Sequence, residues 1–515
     1  MRGCSSNCRG KTPFALSRSK VRVHTCVIGA GFGGLAAALR ARALGHDVTL
    51  LDRLPAAGGR AQVFTQGGFR HDAGPTVITA PFLFEELFAL FGKRLDDYVE
   101  LRPLNTWYEF CFQDGRRFTY TGDLDHTLQE IARFEPADVE GYRQLLTLSE
   151  AIFNVGFGEL AHRPFLDLRS MLAQVPALLK LQSYRTVYGL VSRYIRNEEL
   201  RKVFSVHPLL VGGNPYTTTS IYTLIHFLER KWGVHFCMGG TGRLVAALQR
   251  LASEQGIQVR LGADVEELHC SGNRVTTAET RSGERFAADT FIFNGDPPYA
   301  YQHLLPSRSA VPLMTGLPRP ERFLKYSMGL FVLYFGTRRT YPDVAHHTIW
   351  FGPRHRELLC DIFDRHVVPD DFSLYVHRPT ATDPDFAPPG CDSFYVLCPV
   401  SNLKSGTDWS VRGPSLRDAI VKALDRSLLP GLQDCLCEDF FMTPQDFKER
   451  YRSVHGAGFS IAPVFSQSAG FRFPNRDPRY QNLLFAGAGT HPGAGLPGVL
   501  SSAKVVESLL RVAGG

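Results

Sequence analysis
The residues of this 515-residue sequence best suited to chemistry begin with Gly29-Ala30-Gly31-Phe32-Gly33-Gly34, a Gly-x-Gly-x-x-Gly run, and Asp52, which follows it by about twenty residues. In such a run Gly29 makes a tight turn, Gly31 lets the backbone approach a pyrophosphate, and Gly34 lets a helix lie close on a strand. The run stands between the apolar Val23-His24-Thr25-Cys26-Val27-Ile28 and Leu35-Ala36-Ala37-Ala38-Leu39-Arg40. That order predicts strand, turn and helix, with the unpaired amides of the helix start facing the phosphates. The next apolar stretch, Asp47 to Leu51, delivers Asp52, whose carboxylate can hold both ribose hydroxyls and disfavours a phosphate on the ribose. These residues specify a dinucleotide and leave FAD and NAD both open. The bland alternative is a glycine turn with no ligand.

Two later stretches add to the first. Gly58-Gly59-Arg60 and Ala73-Gly74-Pro75-Thr76 follow close behind Asp52, and a second glycine loop with an arginine suits a cofactor longer than a nicotinamide dinucleotide. Near the other end, Asn482-Leu483-Leu484-Phe485-Ala486 reads as a buried strand feeding Gly487-Ala488-Gly489-Thr490-His491-Pro492-Gly493-Ala494-Gly495-Leu496-Pro497-Gly498, with a helix from Val499 to Val512. Glycines at that density describe backbone pressed against a ligand, and Pro497 suits the first turn of a helix. The start of this closing helix is expected to face the redox ring of the cofactor. Between the ends, Gly239 to Glu254, Gln258 to Leu261, Asp264 to Leu268 and Thr290 to Asn294 read as a helix and small strands that rejoin the cofactor domain.

The Gly58-Gly59-Arg60 segment resembles that of the flavoprotein amine oxidase and carotenoid desaturase superfamily, which implies FAD. Resemblance is more specific over His24 to Leu510, where the sequence is similar to the bacterial phytoene desaturases. The matching stretches include Asp72 to Thr79, Leu209 to Pro215, Ser220 to His226, Leu330 to Gly336, Ala345 to Thr348, Asp371 to Tyr375 and the terminal Gly487 to Gly495 motif. The resemblance implies an α/β fold: a doubly wound, Rossmann-type FAD domain assembled from discontinuous segments, with a mixed α+β domain facing substrate and membrane. It implies that Gly29, Gly31, Gly33, Gly34, Asp52, Gly59, Arg60, Gly74, Pro75, Thr76, Gly487, Gly489, Thr490, Gly498 and Val499 serve FAD, with Val265 against the adenine through its backbone. It also implies stepwise desaturation of phytoene toward neurosporene or lycopene, with hydride passing to flavin N5 and electrons onward to oxygen or a quinone. Another carotenoid flavoenzyme (an isomerase, a later-step desaturase or a ketolase) and a non-catalytic carotenoid or flavin carrier stay open as alternatives.

Removing two hydrogens from a carbon–carbon single bond needs a two-electron acceptor, since no side chain takes a hydride. The neighbouring carbon must also lose a proton, to a weak base or to water. In related desaturases an acid and an arginine on the helix after Glu140-Gly141-Tyr142-Arg143 are proposed to assist, and the matching positions hold Thr147 and Glu150. Glu150 is therefore a candidate base, against the plainer reading of a solvated helix face. His491 is a second candidate because its loop abuts the cofactor segment. Asp52 stands where the family more often has Glu. His346, His347, His377 and His491 match no usual metal-ligand spacing, and no metal is expected.

Composition narrows the class. With 44% hydrophobic and 21% charged residues the chain is a globular protein rather than a disordered one, and its length asks for more than one domain. The expected division is a basic, disordered extension over 1–22, FAD-domain pieces at 23–110, 230–300 and 465–515, a helical substrate- and membrane-associated region at 111–229, and a substrate domain at 301–464. A net charge of +7 suits an anionic membrane surface. Nucleic acid is not expected, because the acid-free basic run is confined to the extreme N-terminus. Eleven cysteines without a Cys-x-x-Cys pair read as reduced cytosolic thiols, and no stretch of roughly twenty apolar residues offers a spanning helix. Arg169 to Arg196 alternates apolar and basic residues, broken at Pro176, as a peripheral membrane segment or a packing helix would. A cytoplasmic, peripherally membrane-associated enzyme with a lipid-dissolved carotenoid substrate is the expectation, and a homo-oligomer is compatible with it.

Overall fold
The strand His24–Ile28 carries Cys26 and Val27 without any solvent exposure, and such an unbroken apolar run belongs in a sheet covered on both faces. It lies at the centre of five parallel strands in the order Leu483–Phe485, Thr290–Phe293, His24–Ile28, Asp47–Asp52, Gln258–Leu261. The strands come from three separated stretches of chain, and Cys26 is in register with Phe291 on one side and Thr49 on the other. The computed structural model describes residues 22–162, 175–306, 311–312, 318–319 and 321–513.

The helix Phe32–Ala43 and the closing helix Leu496–Ala513 share one face of this sheet. Alanines at 36, 37, 38 and 503 bring their backbones close, and Leu35, Leu39, Val506 and Leu510 fill the space between. Arg40, only 2% exposed, ties this layer together: it donates to Glu507 at 2.6 Å and to Glu86 at 3.0 Å. The strand order reverses around His24–Ile28, so the crevice at its carboxyl end is where such sheets bind ligands.

A second sheet stands beyond that crevice. Its seven strands run Leu436–Met442, Gly329–Thr337, Asp392–Val400, Leu374–His377, His347–Trp350, Thr106–Cys111, Arg117–Thr121, with one parallel pair at His347–Trp350 and Thr106–Cys111. The border expected at residue 110 thus cuts through a strand, because Thr106–Cys111 and Arg117–Thr121 belong to this sheet rather than to a helical region. The two strands form a hairpin, Thr106–Cys111 also pairs with His347–Trp350 far along the sequence, and the expected helical region over 111–229 left both out.

The basic extension expected over 1–22 lies outside the described residues except for Arg22, whose guanidinium is 3.4 Å from Asp47. The first part of the amphipathic segment, 163–174, also lies outside them. From Val175 that segment is two short helices, Val175–Lys180 and Val187–Val191, and Pro176 sits in the first turn of one rather than interrupting it. Leu181, Val187 and Leu190 are buried in the protein, while Leu179 and Tyr184 are exposed. The described half of the segment is mainly a packing face. Among the described residues no helix is long and apolar enough to cross a membrane.

Leu35 is wholly buried between the sheet and the closing helix. Leu35→Ala is expected to lower stability by about 2–5 kcal/mol, read as a fall in the urea midpoint.

Candidate functional site
The turn after the first strand is fixed by its backbone. Gly29, at φ +103°, donates from its amide to the Leu51 carbonyl at 2.7 Å, a conformation few other residues adopt. A β-carbon on Gly34 would stand 1.8 Å from the Gly29 carbonyl oxygen, so only glycine lets the helix start here. Asp52 closes the turn from the side: one carboxylate oxygen accepts from the Ala30 amide at 2.6 Å and the other from the Leu54 amide at 2.8 Å. Burial raises the pKa of this carboxyl, and the two amides oppose the rise.

This turn opens onto a single cavity of about 800 Å³ that runs on to the second sheet. Gly29, Gly31, Gly33, Asp52, Gly59, Arg60, Gly74, Pro75, Thr76, Val265, Gly487, Gly498, Val499 and His491 line it. Gly34, Gly489 and Thr490 do not. Gly34 serves the packing of the turn, a β-carbon on Gly489 would strike the Pro297 ring at 2.3 Å, and Thr490 is buried behind the wall with its hydroxyl on the Gly487 carbonyl. Glu150 lies on the exposed side of the helix Asp138–Phe153 and is not part of the cavity. Thr147 is exposed too, its hydroxyl donating back to the Arg143 carbonyl. The candidate base at Glu150 is therefore corrected to a solvated helix face.

Two wall residues, Asn294 and Asp296, and the buried Arg472 behind the wall carry no sequence motif. Asn294, at the end of a central strand, donates from its amide to the Ala486 carbonyl at 3.0 Å and packs under Gly33 and Gly487. Asp296 accepts from Ser460 at 2.5 Å and from the Val454 amide at 2.9 Å, with its carboxyl raised by burial and opposed by those bonds and by Arg60. Arg472 is a buried cation whose guanidinium donates to the carbonyls of Ala488 at 2.6 Å and Ile461 at 3.1 Å, so it fixes the loop that carries His491. Burial pushes the His491 imidazole down to about 4, keeping it neutral, and Nε2 donates to the Leu160 carbonyl at 3.0 Å.

The remainder of the cavity is apolar, walled by side chains such as Leu209, Leu330, Ile349, Phe351, Leu358 and Leu397. Behind this wall the structure gathers His346, His347 and His377, whose ring nitrogens spread over up to 4.8 Å. Ring nitrogens of the three bond to Thr382, to Tyr375 and to one another.

An FAD-sized ligand suits the polar half of this cavity. A β-carbon on Gly59 would meet only Gly31, at 3.7 Å, the buried Asp52 carboxylate lines the cavity, and the guanidinium of Arg60, near Asp296, is held by Ser453 at 2.5 Å. The flavin containing amine oxidoreductase family model matches residues 32–506. The chain is 47% identical to a lycopene-forming phytoene desaturase of Pantoea ananas, over 94% of this chain and 98% of that one. It is 40% identical to a neurosporene-forming phytoene desaturase of Rhodobacter capsulatus, over 94% and 93%. Among solved structures, cyclohexylamine oxidase of Brevibacterium oxydans shares the fold with a TM-score of 0.61 at 15% identity, covering 96% of this chain and all of that one.

Two outcomes follow from this geometry. Gly34→Ala is expected to yield protein that retains no flavin, seen as loss of visible flavin absorbance after gel filtration. The Asp72 carboxyl, buried at the end of the strand before Gly74, is pushed up to about 7 by that burial, against about 3.9 when unfolded. A folded-state pKa above the unfolded one means stability present at low pH and lost as pH rises through this window. The stability of Asp72→Asn relative to the wild type should therefore grow between about pH 4 and pH 7 and then level, as urea titrations at several pH values would reveal.

Proposed function
The chain belongs to the flavin containing amine oxidoreductase family and is an FAD-dependent oxidoreductase; from that premise we propose that its reaction is the stepwise desaturation of phytoene toward neurosporene or lycopene. The observation that carries this reading is the continuity of one cavity, polar and glycine-lined at the first sheet and apolar along the second. A flavin and a long hydrocarbon need that juxtaposition, with their contact at the boundary between the halves.

In this reading the backbone of Gly29, Gly31 and Gly33 receives the pyrophosphate at the helix start, Asp52 holds the ribose and Val265 flanks the adenine. Gly59, Arg60, Gly74, Pro75, Thr76, Gly487, Gly498 and Val499 line the path toward the second sheet. When bound, FAD supplies the two-electron acceptor that no side chain provides. The protein's own part is to exclude water with the aromatic and aliphatic wall, align the chain of the substrate by shape, and accept a proton. No charged group is needed to recognise a hydrocarbon, and burial of apolar area drives its binding, at about 25 cal/mol per Å².

A hydrocarbon of this kind resides in a bilayer, and we place the mouth of the cavity at Phe465 and Phe471. Both rings line the cavity and are nonetheless 53% and 40% exposed. Exposed aromatic rings at an opening suit insertion at the level of lipid headgroups, assisted by the net charge of +7. The paired substitution Phe465→Ser and Phe471→Ser is expected to reduce co-flotation with anionic liposomes while leaving flavin content unchanged.

The direct test is to incubate the FAD-loaded protein with phytoene in liposomes under air or a quinone and record the spectrum. New polyene bands are expected, and the number of conjugated bonds gives the number of steps. Absence of bands with flavin bound would overturn phytoene as the substrate.

A further inference from the structure
Desaturation leaves one question that the cofactor does not answer, namely which group of the protein receives the proton. Hydride and proton leave adjacent carbons, so the acceptor must stand where the cofactor segment meets the substrate wall. Glu150 is excluded by its place on the surface, and Glu229, though on the cavity wall, is wholly buried with its oxygens taken by Tyr108 at 2.8 Å and His207 at 3.0 Å.

Tyr375 meets the requirement. It projects from the strand Leu374–His377, and it keeps accessible surface deep in the fold because it lines the cavity. Its hydroxyl is 2.6 Å from Thr76 Oγ1, in the segment proposed to hold FAD, and 2.8 Å from His347 Nδ1 on the neighbouring strand. Behind His347 the rings of His346 and His377 lie with centroids 4.5 and 5.3 Å away. His377 Nε2 and His346 Nε2 are 3.1 Å apart, and His346 Nδ1 is 2.7 Å from the hydroxyl of Thr382, which is only partly buried. The hydrogen-bonded file therefore runs from the cavity through Tyr375 to His347, whose Nε2 has no hydrogen-bond partner, and the His377–His346–Thr382 chain lies beside it without a bond joining the two.

Resting on the desaturase reading, we propose that Tyr375 is the proton acceptor of the reaction, with His347 behind it to receive the phenol's own proton. One substrate carbon gives up its hydrogen with the bonding electron pair to the two-electron acceptor. The adjacent C–H bond then breaks toward the Tyr375 oxygen, its electron pair becomes the new π bond, and the phenol's own proton moves to His347 Nδ1. Thr76 donates its hydroxyl hydrogen to the Tyr375 oxygen and keeps a lone pair of that oxygen turned to the cavity. Burial holds His347 down at about 3 and His346 and His377 well below their ordinary value, so all three rest neutral, and the proton lost beside a carbocation is acid enough to pass through the phenol to His347 Nδ1.

The test uses the FAD-loaded full-length protein in liposomes, with ordinary phytoene and phytoene deuterated at the carbon that loses the proton. Tyr375→Phe keeps the ring and removes the hydroxyl; His347→Gln keeps a hydrogen-bond acceptor for the tyrosine and removes the base. Both are expected to slow single-turnover conversion about 10²-fold or more, with flavin content and phytoene binding kept and a larger deuterium isotope effect than the wild type shows. Tyr375→Phe converting at the wild-type rate would overturn the proposal, and so would a slow Tyr375→Phe beside an unaffected His347→Gln, since a purely structural imidazole is replaced by glutamine. A wild-type protein that converts no phytoene would sink the desaturase reading itself, a result distinct from either.

Discussion

The two sheets are held in working relation by one strap of chain, Phe69 to Thr76, hydrogen-bonded from both sides. From the second sheet the Tyr334 hydroxyl donates to the Ala73 carbonyl at 3.2 Å, the Ser393 hydroxyl to the Arg70 carbonyl at 2.8 Å, and Tyr375 meets Thr76. From the dinucleotide side the Thr241 amide donates to Asp72 at 2.9 Å and the Thr241 hydroxyl to the Pro75 carbonyl at 2.7 Å. Without this strap a charged cofactor and a hydrocarbon would occupy two unrelated crevices. With it, the glycine-lined and aromatic walls become halves of one chamber.

The strap also explains an unusual feature of the interior, the buried carboxyl of Asp72. A carboxyl with one oxygen on an amide and the other without a hydrogen-bond partner is an expensive way to fasten a helix to a strap. Its position leaves little room for alternatives, since a β-carbon on Gly240 would lie 2.5 Å from it. Close approach of two backbones has been obtained at the cost of a strained ionisation, an arrangement common where a ligand site dictates geometry.

What the sequence made legible follows from locality. Gly29 to Asp52 is a strand, turn, helix and strand in unbroken succession, so spacing alone identifies it, and the glycines at 487 to 498 betray backbone held close to something. The parallel sheet of discontinuous pieces was legible for the same reason, because each piece carries its own apolar run. Tyr375, Asp296 and Arg472 were not legible as site residues: Tyr375 closes the family-like stretch Asp371 to Tyr375, but only the fold brings it to Thr76, across 299 residues. For Glu150 the sequence left a base and a solvated face both open, because position on a helix does not reveal which side is covered, and the helix Asp138–Phe153 turns Tyr142, Leu145 and Ile152 inward instead. The trio of histidines was visible as letters but came together only through the pairing of His347 with His377 on adjacent strands.

The central strand His24–Ile28 lies in a sheet whose edge strand, Leu483–Phe485, and covering helix, Leu496–Ala513, come from a distant part of the sequence. The apolar face of the Phe32–Ala43 helix is therefore covered only once that distant segment has folded back onto it. Because Gly498 and Val499 of the same helix also line the cavity, the segment that seals the apolar layer is the one that completes the wall of the chamber.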